Sequence, residues 1–191
     1  MLDSFVADLR DDHLQIEAVL NELERQLASP LPFSAVFLSD AIQFLAEFAD
    51  EYHHFKEEDV FFPFLASQLI PVDRGPIAHM IEEHAQLRQL LAGIRGALPA
   101  ASSQNQAARQ RLHQLISQYS RLLRKHMEQE EHMQFESSRR FLTQDTGLLL
   151  GDIVARRAGA RLTAARLAQL RMFSVSCQNH RAANDFQLKK D

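Results

Sequence analysis

The chain has 191 residues, of which 46% are hydrophobic, so it is long enough for one core-forming domain with an appendage. A single cysteine, Cys177, excludes an intrachain disulfide framework and a cysteine-based zinc site. The net charge of −4 is uneven: residues 1–142 carry 13 Lys/Arg against 21 Asp/Glu, whereas residues 143–191 carry 8 against 4. We therefore expect an acidic folded domain followed by a basic C-terminal extension.

The sequence contains no recognisable targeting or membrane segment. The N-terminus lacks a basic stretch followed by an apolar run, and no apolar run approaches the roughly 20 residues that a transmembrane helix needs. We therefore expect a cytoplasmic protein, which agrees with the single cysteine. Neither a membrane nor a nucleic acid is expected as a partner.

Helical periodicity dominates the first 142 residues, and strand patterns are nearly absent. Apolar residues with helical spacing predict four helices, at about residues 3–28, 34–68, 76–98 and 106–142. Short segments rich in proline and small polar residues separate them, and Pro63 is expected to kink or loosen the last turn of the second helix. The pattern predicts an all-α fold, an antiparallel up-down-up-down four-helix bundle over residues 1–142.

The basic extension, residues 143–191, has a weaker pattern. Residues 148–172 favour a fifth helix that carries five arginines, either as a solvated helix or as a segment that docks onto a protein partner. Residues 174–191 are expected to form a disordered tail.

Each of the four predicted helices carries a histidine in its inward-facing apolar row. The second and fourth helices add a glutamate four residues later, which lies on the same face one turn further on. The six residues are His13, His53, Glu57, His84, His126 and Glu130. Counted from the adjoining helix ends, the depths of the four histidines along the bundle differ by only about 8 Å. The sequence therefore predicts six polar side chains at one level of the bundle axis.

This set of residues has the chemistry of a metal site. A lone histidine in an apolar row is usually a hydrogen-bonded core residue, but burying Glu57 and Glu130 without a cation costs several kcal/mol each. The set also repeats: His53 follows His13 by 40 residues, and His126 follows His84 by 42. Each half supplies two imidazoles and one carboxylate, which suits iron, manganese or zinc and leaves coordination positions open.

The motifs that surround these residues resemble those of the hemerythrin-like, or HHE cation-binding, domain family. The resemblance rests on HHFKEE at 53–58 with FFP at 61–63, and on Asp-His at 12–13, Glu-His at 83–84 and His-x-x-x-Glu at 126–130. It covers about residues 5–142 and implies a four-helix bundle around a non-haem di-iron centre. By this likeness the two irons have terminal ligands at His13, His53, His84 and His126. Bridging carboxylates are implied at Glu57 and Glu130.

The sequence departs from the oxygen-carrying members of that family at two points. Met80 stands where those proteins place a second histidine of the third helix, and Glu130-Glu131 stands where they end the fourth-helix motif in an aspartate. The arrangement is closer to the di-iron proteins linked to iron–sulfur cluster repair, whose N-terminal cysteine-bearing domain is absent from this chain.

The roles of several neighbouring residues stay open at this point. His54 lies one residue off the inward row and is either a fifth histidine ligand or a group that supports the ligands. Glu58 and Glu131 either accept hydrogen bonds from the liganding imidazoles or are solvated. The remaining histidines, at positions 79, 113, 132 and 180, are expected to point away from the centre. A ferritin-like site is the competing metal hypothesis, but its Glu-x-x-His motif occurs once, at Glu51 and His54.

The predicted function is binding of two iron ions, with manganese or zinc as alternatives, and of a small ligand such as O2 or NO for sensing, storage or scavenging. The alternative is a di-iron enzyme that consumes peroxide or NO, or an iron donor for cluster repair. A third hypothesis is a regulator whose basic extension docks onto a protein partner. No acid or base outside the ligand set is evident in the sequence, so we favour a binding protein without assigning catalytic residues.

Overall fold

The computed structural model describes residues 4–29, 34–102 and 105–188, without the side chains of residues 102, 134–139 and 180–188. Within those ranges there are six helices and no strands, which confirms the all-α prediction. They are α1 (Ser4–Ala28), α2 (35–67), α3 (Gly75–Ser102), α4 (Gln106–Phe141), α5 (Gln144–Ala158) and α6 (Ala164–Leu188). None of the helices in the described part of the chain combines the length and apolar character needed to cross a membrane.

Helix α2 is irregular where the predicted site lies. It starts as an α-helix, Ala35–Phe44, whose N-cap Ser34 accepts a hydrogen bond from the Phe37 amide. It then widens into two π-helical segments, Leu45–His54 and Glu57–Phe61, and closes as an α-helix, Phe62–Ser67, with Pro63 in its first turn. π-helical turns are rare in proteins overall, and many of those that occur lie at functional sites.

The apolar core is divided into two clusters by a polar layer. One cluster contains Ile16, Phe48, Leu87 and Leu123, and the other contains Leu9, Phe61, Met80 and Leu65. The layer between them holds the histidines and glutamates of helices α1 to α4. Because apolar side chains seal the layer from both sides, its polar groups must be satisfied by one another or by a bound cation.

The third helix is longer than predicted. It continues through Pro99 to Ser102, where a loop was expected from residue 99 onward. Ala101 is fully buried, and its carbonyl accepts a hydrogen bond from Arg109 Nε at 3.3 Å. This packing stabilises the added turn despite the proline.

The C-terminal extension forms two helices, α5 and α6, that pack on α1. Helix α6 continues to Leu188, whereas the sequence predicted a disordered tail from residue 174; residues 189–191 lie outside the described ranges. Leu170 and Cys177 are buried in the larger apolar cluster, and the hydroxyl of buried Ser174 donates to Gln15 Oε1 at 3.3 Å. The weak apolar pattern of the tail is therefore sufficient for helix formation because α1 covers its apolar face.

Candidate metal centre

All six predicted ligand residues are buried and converge between helices α1, α2, α3 and α4. None is more than 3% exposed. They form two groups, in each of which one ligand atom per residue lies within 4.8 Å of the others. The first group is His13, His53, Glu57 and Glu130, and the second is Glu57, His84, His126 and Glu130. The two glutamates belong to both groups, so they lie where they can be shared between two ions.

The imidazoles meet in two pairs through their Nε2 atoms. The Nε2 atoms of His13 and His53 are 3.1 Å apart, and those of His84 and His126 are 2.8 Å apart. Glutamate oxygens lie beside them: Glu130 Oε1 is 3.0 Å from His126 Nε2, and Glu57 Oε2 is 3.5 Å from His84 Nε2. The ligating atoms of four helices therefore crowd into one small volume.

The other nitrogen of each of these imidazoles faces a carboxylate. The Nδ1–carboxylate distances are 3.3 Å for His13–Glu131, 3.2 Å for His53–Asp12, 2.6 Å for His84–Glu58 and 3.0 Å for His126–Glu83. An ionised carboxylate only accepts hydrogen bonds, so we assign the proton of each neutral imidazole to Nδ1. Each Nε2 then directs a lone pair toward the centre. Carboxylate–histidine pairs of this kind fix the ring orientation of metal-binding histidines.

The carboxylates follow the same internal repeat as the ligands. Asp12 immediately precedes His13 in the sequence and accepts a hydrogen bond from His53, the next histidine ligand along the chain. In the second half of the repeat, Glu83 precedes His84 and accepts a hydrogen bond from His126. The residues that follow the two shared glutamates, Glu57 and Glu130, accept hydrogen bonds from histidines of the other half of the repeat. These are Glu58 with His84 and Glu131 with His13. Sequence reasoning left Glu58 and Glu131 either as imidazole partners or as solvated residues, and the structure supports the first alternative. The roles of Asp12 and Glu83 depend on pairing between helices, which helical periodicity does not show.

Each of these carboxylates is held in turn by a basic side chain. Lys56 is completely buried and places Nζ 2.6 Å from Asp12 and 2.5 Å from Asp8. On the other carboxylates, the nearest contacts are 2.9 Å for Lys125–Glu83, 2.8 Å for Arg88–Glu58 and 3.5 Å for Arg10–Glu131. The imidazoles are therefore oriented by paired charges, and the excess negative charge at the centre comes from Glu57 and Glu130.

The pKa values of the histidines show the sign of the potential at the centre. Burial alone lowers the pKa of His84, but the nearby carboxylates of Glu130 and Glu57 outweigh burial and raise it to about 11. Burial also works against a proton on His13, but the nearby carboxylates of Glu130 and Glu131 outweigh it and raise the pKa of His13 to about 9. A potential that stabilises protons on buried imidazoles also stabilises a divalent cation among them.

His54, whose role the apolar pattern left open, is buried beside the centre. Residues 52–57 are six consecutive buried positions, and His54 is only 1% exposed. Burial and the charge of His84 hold the pKa of His54 well below its usual value, so its imidazole is neutral. The π-helical turns reduce the angle between consecutive side chains, and the extension covers the outer side of α2, where Arg161 lies 4.6 Å from the centre of the Phe55 ring.

Other predicted positions lie away from the centre. Met80 is buried in the smaller apolar cluster. His79 is half-exposed and pairs with Glu83 at 3.2 Å, and His113 and His132 are exposed. The side chain of His180 is outside the described part of the chain. Glu51 is exposed, so the Glu-x-x-His motif does not contribute a carboxylate to the centre and the ferritin-like hypothesis is unsupported.

The fold and the centre define a class of helical protein in which paired histidines and shared carboxylates surround a cation-binding space. Comparison with protein families agrees: the model of the hemerythrin HHE cation-binding domain matches residues 4–137. The chain belongs to this family, as the motif resemblance predicted. Comparisons with curated proteins and with solved structures found no match.

The donor set fits a metal of the first transition row. Imidazole nitrogen and carboxylate oxygen together suit iron, manganese and zinc. Both oxygens of Glu130 are buried without a conventional hydrogen-bond donor, although the carboxylate lies among three imidazoles whose Nδ1 protons point elsewhere. Such an arrangement is unfavourable without a cation, so the residues present fit the metal that the family implies.

Proposed function

We propose that the chain holds two iron ions, one between His13 and His53 and one between His84 and His126. Glu57 and Glu130 are shared between the two ions, and manganese or zinc would suit the same ligands. A centre of this composition keeps coordination positions free, and it would bind a small ligand such as O2 or NO for sensing, storage or scavenging.

The observation that carries this proposal is the approach of the Nε2 atoms in each histidine pair. When both rings of a pair are neutral, with each Nδ1 proton directed at a carboxylate, two lone pairs face each other across 3.1 Å at His13 and His53. They face each other across 2.8 Å at His84 and His126. Lone pairs repel at this distance, so each pair needs a positive charge between its Nε2 atoms, which a metal ion supplies in the loaded protein and a proton supplies without metal. The four surrounding carboxylates keep the rings in this arrangement, which favours a preformed metal site.

The order of the apolar clusters along the chain supports the antiparallel four-helix bundle. Helix α1 passes from the smaller cluster at Leu9 to the larger one at Ile16, and α2 passes in the opposite order, from Phe48 to Phe61. Helix α3 again passes from the smaller cluster to the larger one, from Met80 to Leu87. A reversal at each connection is the pattern of an up-down arrangement.

The surroundings of the centre favour ligand binding over turnover. Phe44, Phe48 and Phe61 are fully buried in the clusters that enclose the polar layer, and Phe62 lies beside His84 with ring centroids 6.2 Å apart. An apolar enclosure admits a small diatomic molecule and limits the access of water. The described groups near the centre that can transfer protons include the carboxylate partners of the ligands, His54, Lys56 and the phenol of Tyr52, whose ring lies 4.4 Å from Lys56 Nζ. We propose a cytoplasmic location on the basis of the single, buried cysteine.

The test is an optical titration of the iron-loaded full-length protein with O2 and with NO. We expect an absorption band that appears with the ligand, saturates at a fixed ratio and disappears when the ligand is removed. The variant His53→Ala should lose the band, and His113→Ala, at an exposed position, should keep it. Continuous consumption of NO or peroxide by the protein, abolished by His53→Ala, would instead support the di-iron enzyme.

A further inference from the structure

The C-terminal extension crosses the level of the polar layer on the outer side of α2. Helix α5 packs through Leu150 and Val154 into the smaller apolar cluster, and α6 packs through Leu170 into the larger one. The layer of histidines and glutamates separates these clusters, so the segment between the two anchors passes that layer. We call this segment, residues 157–166, the strap. It lies beyond residue 137, where the match to the HHE family model ends.

The strap holds the second π-helical segment of α2, Glu57–Phe61, through the side chain of Asp59. Arg161 Nη2 lies 2.5 Å from Asp59 Oδ2, and Arg157 Nη2 lies 3.6 Å from the same oxygen. The Cζ atoms of Arg161 and Arg157 also lie 4.6 and 5.6 Å from the centre of the buried Phe55 ring, where a cation is attracted to the ring face. Two arginines of the strap therefore grip the turn that begins with a predicted ligand.

Arg157 also supplies a hydrogen bond that the sequence of α2 removes. In a regular α-helix the carbonyl of Asp59 accepts a hydrogen bond from the amide of residue 63, but Pro63 has no N–H. Arg157 Nη1 donates to the Asp59 carbonyl oxygen at 2.9 Å. A contact from the extension therefore stabilises α2 at the point where its own hydrogen-bond pattern is interrupted.

The strap is fastened to the first π-helical segment, Leu45–His54, as well. Arg166 Nε lies 2.6 Å from Glu47 Oε2, and the two side chains are only 33% and 19% exposed. The contacts at Glu47 and Asp59 thus lie before and after the ligand residues that α2 supplies to the centre.

Metal can enter or leave the centre only when the surrounding helices part, because none of the six ligand residues is more than 3% exposed. Local opening of a folded protein takes place at its less stable segments. At the level of the centre α1, α3 and α4 are regular α-helices, whereas α2 contains two π-helical segments and then Pro63. We therefore expect opening at α2, whose outer side carries the strap.

We propose that the strap holds α2 closed over the metal centre and sets the rate at which metal enters and leaves. This inference rests on the metal centre proposed above. The residues that the strap contacts, Glu47, Phe55 and Asp59, are not among the six ligands, so these contacts do not require a bound ion. Contacts that stabilise the closed form equally with and without metal slow entry and release by the same factor and leave the affinity unchanged.

Transfer of iron to a chelator tests this inference. The full-length protein is loaded with ferrous iron in the absence of oxygen and mixed with an excess of a chromogenic ferrous chelator. The double variant Arg157→Met with Arg161→Met loses the contacts of two half-exposed arginines. Its iron content should stay the same, and its iron should reach the chelator about three to ten times faster. The matched control is Arg156→Met, because Arg156 pairs with Asp152 of its own helix at 3.4 Å and should not affect the rate.

Hydrogen exchange of the α2 amides provides a second measurement, which needs no metal. In the metal-free protein, the amides of residues 45–61 should exchange faster in the double variant than in the parent protein or in Arg156→Met. If the double variant does not fold, Glu47→Gln weakens the contact with Arg166 and should give a smaller increase in both rates.

The outcomes separate this inference from the proposed function. Two irons per chain that leave the parent protein and the double variant at the same rate would overturn the role of the strap and leave the metal centre intact. A lower iron content in the double variant would contradict a role in rate alone. Equal amide exchange in the parent protein and the variants would show that the strap does not hold α2 closed, whatever the iron content. A parent protein that takes up no iron would overturn the metal centre and this inference together.

Discussion

The histidine layer and the surface contact of the C-terminal extension are both built from paired charges, but burial gives these charges different consequences. In the extension, Arg161 Nη2 lies 2.5 Å from Asp59 Oδ2, and both side chains remain substantially exposed, at 46% and 31%. Asp59 belongs to α2, and two residues before it on that helix the side chain of Glu57 is 0% exposed. Water screens the first pair, whereas no water solvates the second carboxylate. A carboxylate therefore contributes little to stability at the exposed site and depends on nearby positive charge at the buried one.

Loss of a shared carboxylate should have the largest effect. Glu130→Gln keeps the size of the side chain but removes the negative charge that lies among three imidazoles. Breaking a buried charge arrangement costs about 3–5 kcal/mol, which corresponds to a fall of roughly 10 °C in the melting temperature of a chain of this size. Elemental analysis should find less than the parental metal content, and a variant with unchanged metal content and melting temperature would contradict a shared role for Glu130.

Removal of the metal should destabilise the protein more at alkaline pH than at acidic pH. In the absence of metal, protons on His13 and His84, whose pKa values are raised to about 9 and about 11, partly replace the missing positive charge. This stabilisation is complete below the unfolded pKa of about 6.5 and is lost as the pH rises through the folded values. Protons also compete with the metal, so its affinity should rise with pH.

Thermal melting with and without a chelator, between about pH 6 and pH 9, measures this dependence. A metal present at about 1,000 times its dissociation constant stabilises the folded state by about 4 kcal/mol. We therefore expect the decrease caused by the chelator to grow with pH. A decrease that is constant or shrinks as the pH rises would show that these histidines do not exchange protons for metal.

Lys56 should have a smaller but measurable effect. Its ammonium group is buried against Asp12, and Asp12 orients His53. Lys56→Met keeps the apolar stem but leaves the Asp12 carboxylate without its cation, which should cost about 3 kcal/mol. Loss of such outer partners typically weakens metal binding by about 10–100-fold. The matched control is Lys125→Met on Glu83, where the lysine is more than half exposed and the loss should be smaller.

The smallest effect is expected at the surface contact of the extension. Asp59→Asn weakens the ion pairs with Arg157 and Arg161, both of which are about half-exposed. Exposed pairs contribute about 0–1 kcal/mol, so melting should change little and metal content should stay the same. Loss of metal from this variant would instead show that the extension holds the Glu57–Glu58 turn in place.

Sequence reasoning picked out the six buried residues that converge between the helices because each one interrupts an apolar row with helical spacing. It placed His54 off this row because an ideal α-helix separates consecutive side chains more widely than the π-helical turns of Leu45–His54 do. The partners of His53 and His126 were not predicted either. Asp12 and Glu83 reach them across helices, and such pairing depends on helix rotation, which a single sequence does not specify.

The extension shows a similar limit of sequence reasoning. Its weak apolar pattern suggested one helix and a disordered tail, and the structure contains helices α5 and α6. The packing of Leu150 and Val154 in the smaller cluster, and of Leu170 in the larger one, depends on apolar surface presented by helices far away in the sequence. A local pattern cannot account for such surface, so segments stabilised mainly by tertiary packing are predicted less well than strongly periodic ones.

The most direct test of the central claim is elemental analysis of the purified full-length chain after incubation with ferrous iron and removal of the excess. The proposed centre predicts two iron ions per chain, retained through gel filtration and lost in His126→Ala. A chain that keeps less than one ion of iron, manganese or zinc, and takes up no more on incubation, would contradict the claim that these buried histidines and glutamates are arranged around a pair of metal ions.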